Sequence, residues 1–439
     1  MKKIVKFGGS SLASAEQFKK VGDIIRAEES RKYVVPSAPG KRFSGDTKVT
    51  DMLYKCYDAA ENGERFVGLL DEIKARYDEI IAGLDLDLSL NDEFDVIRNN
   101  FTNKAGKDYA ASRGEYLNGI IMANYLGYDF IDAAEVVLFD ENGQFDAVKT
   151  NEVMSKRLES SERAVIPGFY GAMPDGTIKT FSRGGSDLTG SIVAKAAKVD
   201  MYENWTDVSG FMIADPRIVP NPKSIDAITY KELRELSYMG ATVLHEDAIF
   251  PIRKEGIPIN IRNTNAPEDK GTLIVEATCR HPKYTITGIA GKQGFASITI
   301  EKAMMNSEIG FCRRVLQVFE DNDISIEHMP SGIDTMTVFV HQSEFEEKEQ
   351  KVLAGIHQLV QPDSIELESD LALIAIVGRG MRAKRGTAGN AFSALAKAHV
   401  NLKMIDQGSS ELNIVIGVRN HDFENAIKAL YDTFVTSKL

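Results

Sequence analysis

The chain opens KKIVKFGGSSLASAEQFKKVGDIIRAEESRKYVV from Lys2 to Val35, and this stretch decides the fold class. Lys2–Phe7 reads as a strand that hands over to Gly8-Gly9-Ser10-Ser11. Ser14 is placed to cap a helix whose Phe18, Val21, Ile24 and Ile25 share one face, and Tyr33–Val35 reads as the next strand. Strand, glycine turn, helix and strand in that order predict an α/β unit with a largely parallel sheet and crossover helices. Strand-like runs at Ala164–Ile166, Ile178–Phe181, Met201–Trp205, Ile257–Ile261 and Gly271–Val275 extend it, around a charged, mostly helical stretch from Asp51 to Asn124. A connecting stretch with Cys279, His281 and Pro282 places the main boundary near residue 278, giving domains 1–278 and 279–439.

The second part repeats itself. LQVFEDNDISIEHM from Leu316 aligns with FSALAKAHVNLKMI from Phe392, an offset of 76 residues. The same offset carries Phe319 onto Leu395, Ile324 onto Val400, Gly332 onto Gly408 and Val340 onto Ile416 without a gap. Each copy, about 297–362 and 370–437, reads as a split βαβ module of the ferredoxin-like kind. Gly378-Arg379-Gly380-Met381-Arg382-Ala383 matches a dinucleotide fingerprint, but too little chain follows it and it falls inside the repeat, so it reads as a loop of the second module. The same shortage argues against an appended dehydrogenase domain.

Composition sets the outer bounds. With 439 residues, 43% hydrophobic and 26% charged, the chain can fill several cores, and a net charge of −12 argues against nucleic acid or an anionic membrane as partner. Cys56, Cys279 and Cys312 form no CxxC, hence neither a disulfide framework nor a zinc site. The opening residues make no signal-peptide core and no run is long enough to span a bilayer, so a cytoplasmic protein is expected.

Two glycine clusters carry the chemistry. KFGGSS at Lys6–Ser11 offers small residues, close backbone approach and a lysine for phosphate oxygens, with a following helix dipole favouring the charge; a plain Gly-Gly turn is the structural alternative. Ser182-Arg183-Gly184-Gly185-Ser186-Asp187 again precedes an apolar helix, where Arg183 suits a carboxylate or phosphate and Asp187 either joins the site or serves only as an N-cap.

Six motifs in order make the reading specific: KFGGSS, Ser112-x-Gly114-Glu115, Gly168-Phe169-x-Gly171, Arg183–Asp187, Trp205-Thr206-Asp207-Val208-x-Gly210 and Asp215-Pro216-Arg217. Together they resemble the aspartokinases of the amino-acid-kinase fold, essentially end to end and of the monofunctional form, and the C-terminal repeat resembles their paired ACT regulatory modules. The resemblance implies ATP with Mg2+ as phosphoryl donor and aspartate as acceptor, giving 4-phospho-L-aspartate, the first intermediate toward lysine, threonine and methionine. It assigns Lys6, Gly8, Gly9 and Ser10 to the ATP phosphates and Lys6 with Asp187 to catalysis. Ser37, Thr50, Glu115 and Arg183 fall to aspartate, Glu115 at its amino group and Arg183 at its α-carboxylate. Thr206, Asp207, Phe211, Asp215, Arg217 and Thr242 fall to the nucleotide side. Thr242 stands where the family often has lysine and Glu246 where it has proline, and Lys41, Arg42 and Lys48 are placed to compensate. No protein metal site is implied, and His245 reads as structural.

A carboxylate nucleophile is already ionised at neutral pH, so the reaction needs no general base; positioning and charge neutralisation carry it. The paired modules imply feedback by a small amino acid, lysine first, near Met305, Gly310, Phe311, Cys312, Glu327, Ser331 and Gly332, and a homodimer or homotetramer formed through them. Two other readings remain at this stage: a non-catalytic amino-acid sensor, suggested by Thr242, and another amino-acid-kinase relative acting on a carboxylate or carbamate.

Overall fold

The structure, a computed structural model, describes residues 1–437 apart from 183, 242, 243, 245 and 278–282, with the side chains of 246 and 247 also left aside. The strands of the first unit are β1 Lys3–Phe7, β2 Arg31–Pro36, β3 Asp129–Phe130, β4 Ala164–Val165, β5 Tyr170–Ala172, β6 Ile178–Thr180, β7 Met201–Thr206, β8 Ala227–Thr229, β9 Ile259–Asn263 and β10 Thr272–Val275. Eight of them form one sheet in the order β3-β4-β2-β1-β7-β9-β10-β8, parallel throughout except where β10 meets β9. The run at Ile178–Phe181 does not join it; as β6 it pairs with β5 in a separate hairpin.

Apolar periodicity explains the helices that matter for the site. They are α1 Ala15–Arg26, α2 Val49–Glu61, α3 Val67–Gly83, α4 Asn91–Thr102 and α5 Lys107–Leu126. Ser14 caps α1, its hydroxyl accepting from the Gln17 amide, and Phe18, Val21, Ile24 and Ile25 are buried as the pattern requires. Helix α5 differs. Residues all round it are buried, and small side chains let its neighbours close in: a Cβ on Gly114 would lie 2.7 Å from the Ala38 Cβ, and one on Gly119 would lie 2.7 Å from the Pro167 ring. The core around these helices holds Phe7, Leu53, Tyr57, Tyr77, Phe94, Phe101, Leu117 and Ile121.

The second unit contains β11 Gly288–Glu301, β12 Ile326–His328, β13 Thr335–His341, β14 Ser364–Val377, β15 Met404–Asp406 and β16 Asn413–Arg419, in one antiparallel sheet ordered β12-β13-β11-β14-β16-β15. The two copies are not separate beads. β11 and β14 pair along their whole lengths, from Gly288 opposite Val377 to Glu301 opposite Ser364. The 76-residue offset carries Gly288 onto Ser364 and Glu301 onto Val377, so each copy borrows its last strand from the long strand of the other. The register shifts near Phe295 bend the sheet, and the edge residues His328 and Asp406 come within 3.2 Å. GxGxxA lies here as a 3-10 turn, Arg379–Ala383, between β14 and the helix Thr387–Lys397.

Compactness does not follow a single cut: the first unit is Met1–Phe211, Ser224–Lys231 and Val243–Thr278, and the second is Met212–Lys223, Glu232–Thr242 and Cys279–Leu439. Among the described residues no helix is long and apolar enough to cross a membrane.

Candidate active site

In a parallel sheet, loops that leave neighbouring strands toward opposite faces open a crevice at the strands' carboxyl ends. Strand β1 is that point, with β2 on one side and β7 on the other. The turn after β1 is fixed on both sides, since the Gly8 amide donates to the Trp205 carbonyl at 3.0 Å and the Ser37 amide to the Phe7 carbonyl at 3.1 Å. The Gly40 amide then donates to the Gly9 carbonyl at 2.8 Å. This close approach is why both positions are glycine: a Cβ on Gly40 would lie 2.5 Å from the Gly9 carbonyl carbon, a backbone atom with nowhere to go. Gly40→Ala is expected to lower kcat/KM by about tenfold or more, because misplacement of a positioning loop by about 1 Å is costly. Gly45→Ala, where a Cβ meets only the Phe43 ring at 3.7 Å, is the matched control.

Lys6 ends in the crevice. Only 8% exposed, it places Nζ 2.6 Å from Oδ1 of Asp187, whose carboxylate also accepts from Asn204 Nδ2 at 2.8 Å. Asp187 is not the helix cap: Gly184 takes that place in the left-handed region at φ 56°, and Asp187 lies in the first turn of the helix Gly185–Ala196. Gly9–Leu12 forms a 3-10 turn and α1 begins only at Ala15, so the helix starting beside the site is Gly185–Ala196 and not α1.

Helix α5 supplies the other wall. Glu115 is buried, and burial pushes its carboxyl up to about 8; the Ala38 and Glu115 backbone amides and the Lys6 charge pull the other way. Glu115 Oε2 and Asn118 Oδ1 are buried without a hydrogen-bond partner among the described residues. Standing three apart, they share one face of α5, and both are acceptors. Asn118 is oriented by its Nδ2, which donates to the Ser37 carbonyl at 2.6 Å. Thr50 opens α2 beside them, its Oγ1 3.8 Å from where a Gly114 Cβ would stand. Phe169 sits at φ 80° with its amide on Thr189 Oγ1, and Gly168 leaves room for Ser186.

The site therefore unites Lys6, Gly8, Gly9, Ser10, Ser37, Thr50, Glu115 and Asp187, and adds Asn118 and Asn204. Sequence reasoning missed these two asparagines, which the structure buries at 0% and 3% exposure; the one hint in the sequence was a neutral polar residue set beside apolar neighbours, within Leu117-Asn118-Gly119-Ile120 and next to Trp205 in β7.

The amino acid kinase family model matches residues 1–263, and an ACT domain model matches residues 374–434. Aspartokinase 3 of Bacillus subtilis is 39% identical over 452 residues, spanning 100% of this chain and 99% of its own length. The chain belongs to the aspartokinase family. The crystal structure of Clostridium acetobutylicum aspartate kinase matches with a TM-score of 0.91 and 52% identity, over 99% of this chain and 100% of that one. Escherichia coli aspartokinase III, at 24% identity and a TM-score of 0.75 over 99–100% of both chains, shares the fold in a complex with aspartate and ADP and in one with lysine and aspartate.

The protein is thus an aspartate kinase, a phosphotransferase with an ACT regulatory region. Its remaining predicted residues divide as follows. Arg183, Thr242 and His245 lie outside the described residues, as does the side chain of Glu246. Thr206 Oγ1 donates to Asp207 at 3.2 Å, and both belong to the first unit. Phe211 is 1% exposed with its amide on Thr272 Oγ1, which makes it a core residue of this aspartokinase and no open wall for a base. Asp215 and Arg217 lie in the second unit, where they pair with each other. Arg42 does not reach for phosphate; its guanidinium is taken by Asp46 and Glu79.

In the second unit Met305 and Phe311 are core, Cys312 is exposed, and Gly310 caps the helix Phe311–Glu320 at φ 80°. The Gly332 amide already donates to the Thr335 carbonyl, so it offers nothing to an effector carboxylate. Both oxygens of Glu327 are engaged, by His341 Nε2 at 3.1 Å and the Tyr238 hydroxyl at 2.7 Å. The Arg379 guanidinium in the fingerprint-like turn holds Glu232 at 2.8 Å.

Proposed function

We propose that the chain transfers the γ-phosphoryl group of ATP to the side-chain carboxylate of L-aspartate, giving ADP and 4-phospho-L-aspartate, the first step toward lysine, threonine and methionine. The observation that carries the reading is the pairing of a buried cation, Lys6, with two orphaned acceptors on one face of α5, Glu115 Oε2 and Asn118 Oδ1. An α-ammonium group supplies the donors those acceptors lack, and Lys6 faces the anionic end of the reaction. Ser37, Thr50 and Arg183 complete the aspartate side. Gly8, Gly9, Ser10, Thr206 and Asp207 belong to the nucleotide, and the family pattern assigns Asp215, Arg217 and Thr242 to it as well. The ADP complex of the E. coli relative supports ATP as donor.

Lys6 and the Gly9 and Ser10 amides neutralise the triphosphate, the Gly8 amide being held by the Trp205 carbonyl, while Asp187, fixed by Asn204, holds the Lys6 ammonium in place. The substrate carboxylate attacks phosphorus as the anion it already is, and the electron pair of the breaking bond leaves with ADP. Mg2+ carried by the triphosphate would need only one or two protein carboxylates. Its contribution is to neutralise phosphate charge.

Regulation belongs to the same proposal. The lysine complex of the E. coli relative supports lysine as effector, and Glu327 is the carboxylate its ammonium would take from Tyr238. Assembly into a homodimer or homotetramer through the ACT modules completes the reading. Coupled ADP release is measured with aspartate, glutamate and N-acetylglutamate, each with and without lysine and threonine. Turnover with aspartate alone, lowered by lysine, is the expected result; turnover with another acceptor refutes the substrate, and indifference to both amino acids refutes the regulation.

A further inference from the structure

The segment between β2 and α2 carries Ser37 and leads to Thr50, yet it has little core of its own; Phe43, its large apolar residue, is 64% exposed. Beside the exposed Arg42–Glu79 pair and the Val49 amide bond to the Pro39 carbonyl, the loop is held to α3 by Arg76. This side chain sits on the inner face of α3 between Ile73, Tyr77 and Ile80, 5% exposed, where burial works against its charge. Its Nη2 donates to the Gly40 carbonyl, its Nη1 donates to the Thr47 carbonyl at 2.6 Å, and Asp46 lies 3.2 Å from Nη2. One guanidinium therefore ties both stems of the loop. From Gly40 the loop reaches the site in two ways: the Gly40 amide is bonded to Gly9, and two residues earlier the Ala38 amide faces the Glu115 carboxyl. A cavity of about 480 Å3, lined by Arg42, Asp46, Met52 and Arg76 among others, lies beside the clamp.

We propose that Arg76 is a positioning residue for the aspartate kinase reaction, setting aspartate affinity by clamping the carbonyls of Gly40 and Thr47 so that Ser37 and Ala38 stay aligned with Glu115. This rests on the aspartate-side reading of Ser37, Thr50 and Glu115. Lysine keeps the charge beside Asp46 but cannot span two carbonyls as a planar fork does.

Arg76→Lys is the test, with Asp46→Asn as a second variant that loosens the clamp without removing the buried cation. In a folded variant, judged by its near-ultraviolet circular dichroism, the KM for aspartate is expected to rise about tenfold with kcat and the KM for ATP within about twofold. Amide exchange over residues 41–47 is expected to quicken about tenfold as the loop opens locally. Faster exchange with an unchanged aspartate KM overturns the positioning role, and a raised KM without faster exchange overturns the clamp. Ser37→Ala and Thr50→Ala separate the underlying reading: if neither alters the aspartate KM while Arg76→Lys still frees the loop, the pocket assignment has failed and the clamp has not.

Discussion

Replacing Lys6 with methionine is expected to cut kcat by about a thousandfold while the chain still folds. One preorganised donor at a developing negative charge is worth about 10²–10³ in rate, and Lys6 adds a full charge in a buried crevice. The competing reading makes Lys6 merely the structural partner of Asp187. Removing one member of a buried ion pair costs about 3–5 kcal/mol when the other is stranded. Asp187 is not stranded: its side chain is 15% exposed and keeps the Asn204 bond. The double variant Lys6→Met/Asp187→Asn separates the two roles. Removing the leftover charge should return the unfolding temperature toward that of the parent, with turnover still lost. Turnover that recovers together with stability would take Lys6 out of the chemistry.

How far such a site is legible in the sequence depends on which force places each residue. The glycine turns, β1, β2 and β7 are readable because a short apolar run bounded by Gly, Pro, Ser or Asp is a pattern carried within the sequence itself. The 76-residue repeat was readable for the same reason. The exchange of last strands between copies was not, since Gly288–Gly294 precedes the first copy in the chain and only pairing with β14 reveals whose strand it is. Asn118 and Asn204 are not legible in the sequence because asparagine carries no periodic signal; their meaning comes from Ser37 and Asp187, distant along the chain. Arg76 is the sharper case. On a charged helix an arginine between isoleucines reads as a solvated side chain, and only the fold brings two carbonyls to it. Phe211 shows the opposite limit, since a motif position implies a nucleotide contact and says nothing of the packing that buries its ring.

The second large effect concerns pH and Glu115. Burial holds its carboxyl at about 8, so near pH 7 the free enzyme carries it mostly protonated. An incoming ammonium needs the carboxylate, and binding must first expel that proton. The kcat/KM for aspartate is therefore expected to rise about tenfold per pH unit below 8 and to flatten above it, until the substrate's own amine loses its proton. kcat should vary much less, because the bound ammonium keeps Glu115 ionised. Glu115→Gln should erase this limb and raise the aspartate KM about a hundredfold, within the range for truncating a buried, hydrogen-bonded charge pair, with the KM for ATP little changed. Stability supplies a check that needs no substrate. A folded-state value of about 8 against an ordinary 4.5 means that the native protein binds this proton more tightly than the unfolded chain. The associated stability is fully present below 4.5 and is lost as pH rises toward 8. Glu115→Gln, which cannot ionise, should accordingly gain on the parent in unfolding temperature as pH moves from 5 to 9. A parent enzyme whose aspartate KM is flat from pH 6 to 9 would mean that Glu115 is ionised in the free protein or does not meet the ammonium, and the unfolding series tells these apart, because only the first also removes the gain.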